Sequence, residues 1–500
     1  MSESRTKRGD LLPNVVLGLL LAFAYIGRAA ISADGSEMLS EALGLFVEGR
    51  FEMANLPPGP PPPGEPLFVS PAFHSRYGLF PSLLHVPVLA LAWPLRGVIG
   101  ANGLEMAIAL TWALGAGLAA LAFRALVRRL SPGASGWWAP AFLAGTYLFP
   151  YAADSFVEPY CAAGLAAGAA LALSPGLTPR RAALAALAWC SAALLKPVLW
   201  LLAPVLLLGI LLAPGLEKVR VRNALFALGT ETALLVVALL ANVLRSGSAA
   251  EAGYGSQMFA FTTPFLTGLY GLVLSPGRGL VFFAPVLLAA AFSLRKLSPA
   301  AAALLPGAGL LLILVMARWW GWNGGSAWGP RLVLPVLPLL VAPAVLAPRR
   351  LSAALLAIGC LLNVPGVLVA PGMWGMYAEL LVPPPGSAWP RSGPDRVSDV
   401  PSLTPLYGHW WMLTHGKAPW LEAGALERVP RMRPADFVSP LWLRSAMRLP
   451  RLWPVVPRLL VRSAYAYEAR GRPESARRWA EEALALSPGD ADARRLLGRE

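Results

Sequence analysis

Carboxylates directly follow the first apolar segment of this chain: Asp34, Glu37 and Glu41 come after "LLPNVVLGLLLAFAYIGRAAIS". Such residues have a structural explanation, because Asp34 could cap an amphipathic helix over "EMLSEALGLFVEG" by accepting hydrogen bonds from backbone N–H groups of its first turn. They also have a chemical one, since a carboxylate can take a proton from an attacking hydroxyl or bind a divalent ion. We favour the chemical explanation for Asp34 and keep Glu37 as a second catalytic candidate. For Glu41 and Glu48, helix chemistry is a comparable explanation.

Further charged side chains occur in later segments. The segment "PYAADSFVEPY" carries Asp154 and Glu158, and Asp154 is a third catalytic candidate. Lys196, Arg278 in "SPGRG" and Arg331 are the candidate cations. Each could simply anchor a helix end by reaching the membrane surface. Together they would suit the phosphate of a lipid, because ammonium and guanidinium groups form charge-assisted hydrogen bonds with phosphate oxygens.

Tryptophans cluster in the loop "RWWGWNGGSAWGPR". Tryptophan is enriched at membrane–water interfaces, so an interfacial belt explains the cluster equally well. The neighbouring Asn323 and Arg331 favour a binding loop instead, in which tryptophan faces stack on a sugar or cover a lipid. The segment "FHSRYG" adds further polar side chains. The candidate substrate-binding residues are therefore His74, Arg76, Tyr77, Glu158, Trp320, Trp322 and Asn323.

The composition indicates that most of the chain lies in lipid. Of the 500 residues, 56% are hydrophobic and 14% are charged, and the mean hydropathy is +0.57. These values are typical of a membrane protein. The net charge of +15 does not point to nucleic acid, since many of the basic residues lie in short loops between apolar segments. The cysteines Cys161, Cys190 and Cys360 lie in apolar segments and are expected to be small buried hydrophobes.

Apolar length predicts ten candidate membrane-spanning segments. They are residues 11–31, 103–123, 136–153, 158–174, 182–213, 224–244, 279–294, 299–317, 331–348 and 351–370. The segment 182–213 is too long for one pass, and Lys196-Pro197 in its middle predicts a hairpin of two passes. The apolar segment 79–95 is ambiguous.

Loop charge decides between the topologies. Five basic loops are present, at 124–129, 180–181, 218–222, 295–296 and 349–350. All of them share the side of the N-terminus only if 182–213 crosses twice and 79–95 lies in the outer leaflet without crossing. The predicted fold is therefore all-α, with about eleven transmembrane helices, a cytoplasmic N-terminus and an outer C-terminus. This topology places four features on one outer face: the first loop (residues 32–102), the segment with Asp154 and Glu158, the region 245–279 that contains Arg278, and the tryptophan loop. Lys196 points to the same face.

These motifs, in their order along the chain, are familiar. The acidic residue after the first span, "HSRYGLFPSLLHVPVLAL", "LYGLVLSPGRGLVFFAPVLL" and "WWGWNGGSAWGPRLVLPVLPLL" together resemble GT-C membrane glycosyltransferases. The resemblance covers about residues 10–370. It is greatest to the bacterial branch near the protein mannosyltransferases and the lipid A aminoarabinose transferases.

The resemblance implies transfer of a sugar from a polyprenyl-phosphate donor to a lipid, glycan or protein acceptor. The transfer is expected at the outer, periplasmic face of the inner membrane. The resemblance also implies that Asp34 is the catalytic base or helps to hold a metal ion, and that Asp154 or Glu158 is a second acidic residue. Metal dependence varies among such enzymes, so a divalent cofactor stays open. The sequence "ADGSE" departs from the Asp-Glu pair of the mannosyltransferases, which puts the role of Glu37 and the acceptor class in doubt.

Two segments follow the predicted transmembrane domain (1–370). Residues 371–460 are rich in Pro, Trp and Met and predict an irregular segment on the membrane. Residues 461–500 have the residue spacing of one tetratricopeptide repeat, although a plain helical hairpin is an equal explanation. The arginines of this tail are expected to contact anionic headgroups or a protein partner.

Two other function classes compete with the transferase. A transporter or flippase of lipid-linked sugars would be expected to show internal repeats and broken helices near the membrane centre, and no repeat is obvious. A noncatalytic scaffold would use the tail alone. The sequence does not specify the sugar or the acceptor.

Overall fold

The computed structural model describes residues 10–26, 33–50, 75, 77–251, 253, 258–325, 327–369, 404–415, 455–469 and 471–499. These residues form helices and connecting turns, and no strand occurs among them. The predicted all-α class is confirmed for this part of the chain.

The helices are numerous and most are short, although α5 and α11 have 35 and 30 residues. The first half contains α1 (Leu11–Ile26), α2 (Ala33–Glu48), α3 (Leu79–Leu83), α4 (Val86–Ala92), α5 (Arg96–Leu130), α6 (Trp138–Ala144), α7 (Leu148–Tyr151), α8 (Glu158–Ala172), α9 (Pro179–Leu195), α10 (Ala203–Leu211) and α11 (Glu217–Ser246). The second half contains α12 (Phe265–Val273), α13 (Leu280–Phe283), α14 (Leu287–Ser293), α15 (Pro299–Ala302), α16 (Ala308–Met316), α17 (Leu337–Val341), α18 (Arg349–Leu368), α19 (Pro405–His415), α20 (Val455–Ala469), α21 (Pro473–Leu486) and α22 (Ala491–Leu496).

Apolar helices make this a membrane protein. Within the described residues, four helical stretches are long and apolar enough to cross a bilayer: Leu79–Leu130, Glu217–Ser246, Pro299–Met316 and Arg349–Leu368. Only 17% of the apolar window of Glu217–Ser246 is buried inside the protein, so its remaining surface needs a lipid solvent. Shorter apolar helices are Leu11–Tyr25, Pro197–Leu211 and Arg331–Leu346. The count of about eleven passes and the orientation of the termini stay predictions.

Prolines divide several predicted spans. The chain from Arg331 to Leu346 consists of a 3₁₀ turn (Arg331–Val336), α17 and a second 3₁₀ turn (Ala342–Leu346). Pro335, Pro338 and Pro343 have no N–H to donate, so a continuous α-helical ladder cannot form there. The predicted break within 182–213 is present, because α9 ends at Leu195 and a 3₁₀ turn begins at Pro197.

Two apolar cores hold the helices together. The larger one joins α1 and α5 to α19. The second joins α2, α4 and the first part of α5 to the C-terminal helices α20, α21 and α22. The C-terminal helical segment begins at Val455, whereas the predicted tail begins at 461. Within the predicted irregular segment 371–460, residues 405–415 form α19.

Candidate active site

The first turn of α2 carries Asp34 and lies against the Asp154–Ser155 segment. A Cβ at Gly35 would lie 2.1 Å from Ser155 Oγ and 2.4 Å from Ser155 Cβ. Since real Cβ atoms do not approach so closely, only glycine permits this contact. Gly35 therefore sets the distance between Asp34 and the second acidic segment.

We expect Gly35→Ala to force the start of α2 away from Ser155, with a loss of about 1–3 kcal/mol of stability typical of overpacking. Because Asp34 is the preceding residue, it should move too and lose its contacts. Adding Ser155→Gly should rescue the Gly35→Ala protein, since it removes both clashing side-chain atoms. Thermal unfolding of the two single variants and the double variant checks this. Simple additive losses in the double variant would contradict the close contact.

A buried ion pair fixes the middle of α2. Arg245 Nε donates to Glu41 Oε1 at 2.7 Å, and the two side chains are 2% and 0% exposed. Ser82 Oγ donates to Glu41 Oε2 at 2.6 Å, and Arg245 also donates to the Ser75 carbonyl. Glu41 thus joins α2 to the end of α11 and to α3. Its carboxylate therefore has a structural role. Sequence reasoning missed Arg245, although an arginine ending a long apolar helix is a signal for such a partner.

The tryptophan loop (residues 319–330) packs on α12. A Cβ at Gly271 would lie 2.0 Å from the Trp322 ring, so the indole lies directly on the helix backbone. The Arg278 guanidinium donates to the Asn323 carbonyl at 2.6 Å, and Arg278 is 3% exposed. The motif "LYGLVLSPGRG" therefore supports the loop: Gly271 admits Trp322 and Arg278 holds the backbone.

A cavity of about 260 Å³ lies where α2, α8, Lys196 and the tryptophan loop meet. Seven of the predicted site residues line it: Asp34, Tyr77, Glu158, Lys196, Trp320, Asn323 and Arg331. Its apolar wall includes Met38, Leu195, Pro197 and Leu332. The cavity therefore brings together charged groups from four separate regions of the sequence.

Two ion pairs share this cavity. The Arg331 guanidinium donates to Asp34 Oδ2, and Lys196 Nζ donates to Glu158 Oε1 at 2.6 Å. Arg331 Nε lies 3.8 Å from Glu158 Oε1, so the two pairs adjoin. The guanidinium carbon of Arg331 also lies 4.6 Å from the Phe156 ring centroid, a contact that the sequence did not reveal. Two cations thus face two carboxylates in a partly enclosed space.

Asp154 lies behind these pairs, 7% exposed, and its Oδ1 accepts a hydrogen bond of 2.7 Å from the Ser155 N–H. Burial raises the pKa of Asp154 from 3.8 to about 7, although the Ser155 N–H and the Arg331 charge lower it. The charges of Asp34 and Glu158 raise it further. A carboxyl group with this pKa is partly protonated at neutral pH and can give or take a proton.

The other predicted site residues have different positions. Arg278, Trp322 and Asp154 are buried and are not among the residues that line the cavity, and Glu37 lies on α2 outside that lining. His74 and Arg76 lie outside the described residues. Arg278 was predicted to bind phosphate, and the structure places its guanidinium on the loop backbone.

A metal site is not evident in the described part of the chain. No group of three His, Cys, Asp or Glu side chains that could hold an ion occurs there. Asp34 and Glu158 would be the oxygen ligands nearest the cavity for a divalent ion.

Comparison with known proteins gives two similarities. Residues 457–500 match the model of the tetratricopeptide repeat, which confirms that part of the tail prediction. The chain is similar at 15% identity, with a TM-score of 0.45, to the crystal structure of ArnT from Cupriavidus metallidurans in the apo state. That likeness covers 97% of this chain and 76% of ArnT. No curated protein matches the chain.

Proposed function

We propose that this protein is an integral membrane glycosyltransferase of the GT-C type. It would move a sugar from a polyprenyl-phosphate donor to a lipid, glycan or protein acceptor at the outer face of the inner membrane. One observation carries the proposal: Asp34 from the first loop pairs with Arg331 in a cavity that also holds Lys196 and Glu158. A base and two cations in one cleft are the groups that sugar transfer from a phosphate requires.

The cations would bind the donor phosphate. Arg331 presents a planar fork of N–H donors, and Lys196 presents a point charge beside it, since both cations lie near Glu158 Oε1. The phosphate would compete with Asp34 for the Arg331 guanidinium, since both are anions that accept from the same N–H groups. Donor binding would therefore release Asp34 from its ion pair and leave the carboxylate ready to accept a proton.

The proposed transfer step uses the residues in these positions. The acceptor hydroxyl attacks the anomeric carbon, the bond between that carbon and the phosphate oxygen breaks, and the polyprenyl phosphate leaves with the electron pair. Asp34 accepts the hydroxyl proton, while Arg331 and Lys196 stabilise the charge that grows on the leaving phosphate. Attack from the side opposite the phosphate predicts inversion at the anomeric carbon.

The walls of the cavity suit the rest of the donor. Trp320 is 43% exposed at the rim, and an exposed indole face can stack on a sugar ring or cover an apolar chain. Tyr77 and Asn323 add polar groups that can hydrogen-bond sugar hydroxyls. The apolar side chains of Met38 and Leu332 would lie along the first isoprene units.

The proposed reaction takes place at the membrane surface. We place the protein in the inner membrane with a cytoplasmic N-terminus and a periplasmic C-terminus, on the charge of its short loops. The bilayer, the lipid-linked donor and the acceptor are the proposed partners, and nucleic acid is not among them.

A deletion strain tests the function. Mass spectrometry of its cell-envelope glycans and glycoproteins should show the loss of one sugar substituent, and a plasmid copy of the gene should restore it. If the protein were a transporter or flippase, the purified protein would not transfer sugar. The deletion strain would then accumulate lipid-linked sugar on the cytoplasmic side. A scaffold would leave the glycans unchanged. Either result would overturn the proposal.

A further inference from the structure

The C-terminal hairpin (residues 455–497) packs on the same helix that carries Asp34. Its helices α20, α21 and α22 share one apolar core with α2, α4 and α5. From α2 this core takes Leu39, Ala42, Leu43 and Val47, all at most 2% exposed. One tetratricopeptide repeat cannot bury its apolar face alone. Here α2, α4 and α5 supply the missing surface.

Polar contacts fix the hairpin at defined points. Trp479 Nε1 donates to Glu48 Oε1 at 3.0 Å, and Ser475 Oγ donates to Glu48 Oε2 at 3.2 Å. Trp479 is fully buried, so its indole N–H needs this acceptor. Glu48 is the last residue of α2, and Asp34 lies in the first turn of the same helix. The hairpin thus holds the end of α2 that is opposite the candidate base.

Two further contacts join the hairpin to α5. Arg96 Nε and Nη2 donate to the two carboxylate oxygens of Glu482 at 2.8 and 2.9 Å, a bidentate pair. Glu105 Oε1 accepts a hydrogen bond of 2.9 Å from the Val456 N–H in the first turn of α20. Because a bidentate pair fixes orientation as well as distance, the hairpin is held in one register on α5.

From these contacts we infer that the C-terminal hairpin is a positioning element for the candidate active site, acting through α2 on Asp34. The inference rests on the proposed function. A sixteen-residue α-helix is a rigid rod about 24 Å long, so a displacement at Glu48 carries to Asp34. The Glu41–Arg245 pair holds the middle of this rod, Ser155 and Arg331 contact its first turn, and the hairpin contacts its last residue.

This role differs from recruitment of a separate protein. A recruiting repeat needs its apolar groove free for the partner, whereas the hairpin places its buried residues Tyr467, Trp479 and Ala483 in the core shared with α2. Trp479 also stacks on Tyr467, with ring centroids 6.0 Å apart. The occupant of that surface is the first loop of the same chain.

Swapping the charges of Arg96 and Glu482 tests the inference in the full-length protein. Glu482→Arg should separate the hairpin from Arg96, increase hydrogen exchange of the amides of α2, and lower kcat by about tenfold or more, since small displacements of a catalytic group are costly. The KM for the donor should change far less. The double variant Arg96→Glu/Glu482→Arg should recover kcat and the slow hydrogen exchange of the α2 amides, because opposite charges face each other again.

Glu481→Arg is the matched control. This neighbour on α21 is exposed, and the substitution has the same charge change. It should leave exchange and kcat unchanged. If Glu482→Arg opens α2 and kcat does not fall, or if the exchange of α2 does not respond, the positioning role is wrong. If the unaltered protein transfers no sugar, the proposed function itself fails, and the exchange data then report on docking alone.

Discussion

Replacing Asp34 by Asn should lower sugar transfer by about 10²–10⁴-fold, the usual contribution of a general base. An amide cannot accept the hydroxyl proton, and it also lacks the charge that pairs with Arg331. Since the donor phosphate can still bind Arg331 and Lys196, the KM for the donor should stay the same or fall. Single-turnover transfer from a labelled polyprenyl-phosphate sugar in proteoliposomes measures both quantities.

Asp10→Asn is a suitable control for this substitution. Asp10 also pairs with an arginine, Arg128, at 2.7 Å, and its side chain is similarly exposed, 21% against 17% for Asp34. It does not line the cavity. The control protein should keep full activity. Equal activity of the Asp34→Asn protein and the unaltered protein would exclude Asp34 as the base.

Replacing Arg331 by Met should have the second large effect, a loss of about 10²–10³-fold in kcat/KM for the donor, comparable to the removal of one group that stabilises transition-state charge. The substitution removes the fork that is proposed to grip the phosphate. It also leaves Asp34 and Glu158 without their shared cation, so some loss of thermal stability is expected. Arg331→Lys should recover stability better than activity, because lysine restores charge but not the planar fork.

Arg318→Met separates this effect from general disturbance of the loop. Arg318 lies immediately before the tryptophan loop, is exposed and donates to the Phe261 carbonyl at 3.3 Å. Its substitution should leave kcat/KM nearly unchanged. If the Arg318 and Arg331 variants lose activity equally, the loop as a whole matters and Arg331 has no special role in binding phosphate.

Residue type and loop charge were enough to select seven of the residues that line the cavity. Asp34 follows an apolar segment, Lys196 interrupts one and Arg331 begins one, and in such positions a charged side chain is costly unless it has a partner. Their convergence on one cavity is what the one-face topology predicted. The break at Lys196-Pro197 could be read directly, because proline cannot continue the hydrogen-bond ladder of α9.

Other features depend on tertiary geometry that the sequence does not contain. Arg278 and Arg331 look alike in the sequence, but only the packing of α12 shows that Arg278 points to the Asn323 carbonyl. Apolar length overestimated helix length where prolines recur, as in 331–348. The partner of Glu48 lies more than 400 residues away in the chain, so no local pattern could reveal the contact with Trp479.

The location of the donor phosphate tests the central claim most directly. It can be measured in an experimental structure of the Asp34→Asn variant with a polyprenyl-phosphate sugar bound. We predict phosphate oxygens at hydrogen-bond distance, about 2.7–3.2 Å, from the nitrogens of Arg331 and Lys196, with residue 34 facing the anomeric carbon. A phosphate bound away from both cations, with the sugar remote from residue 34, would contradict the account.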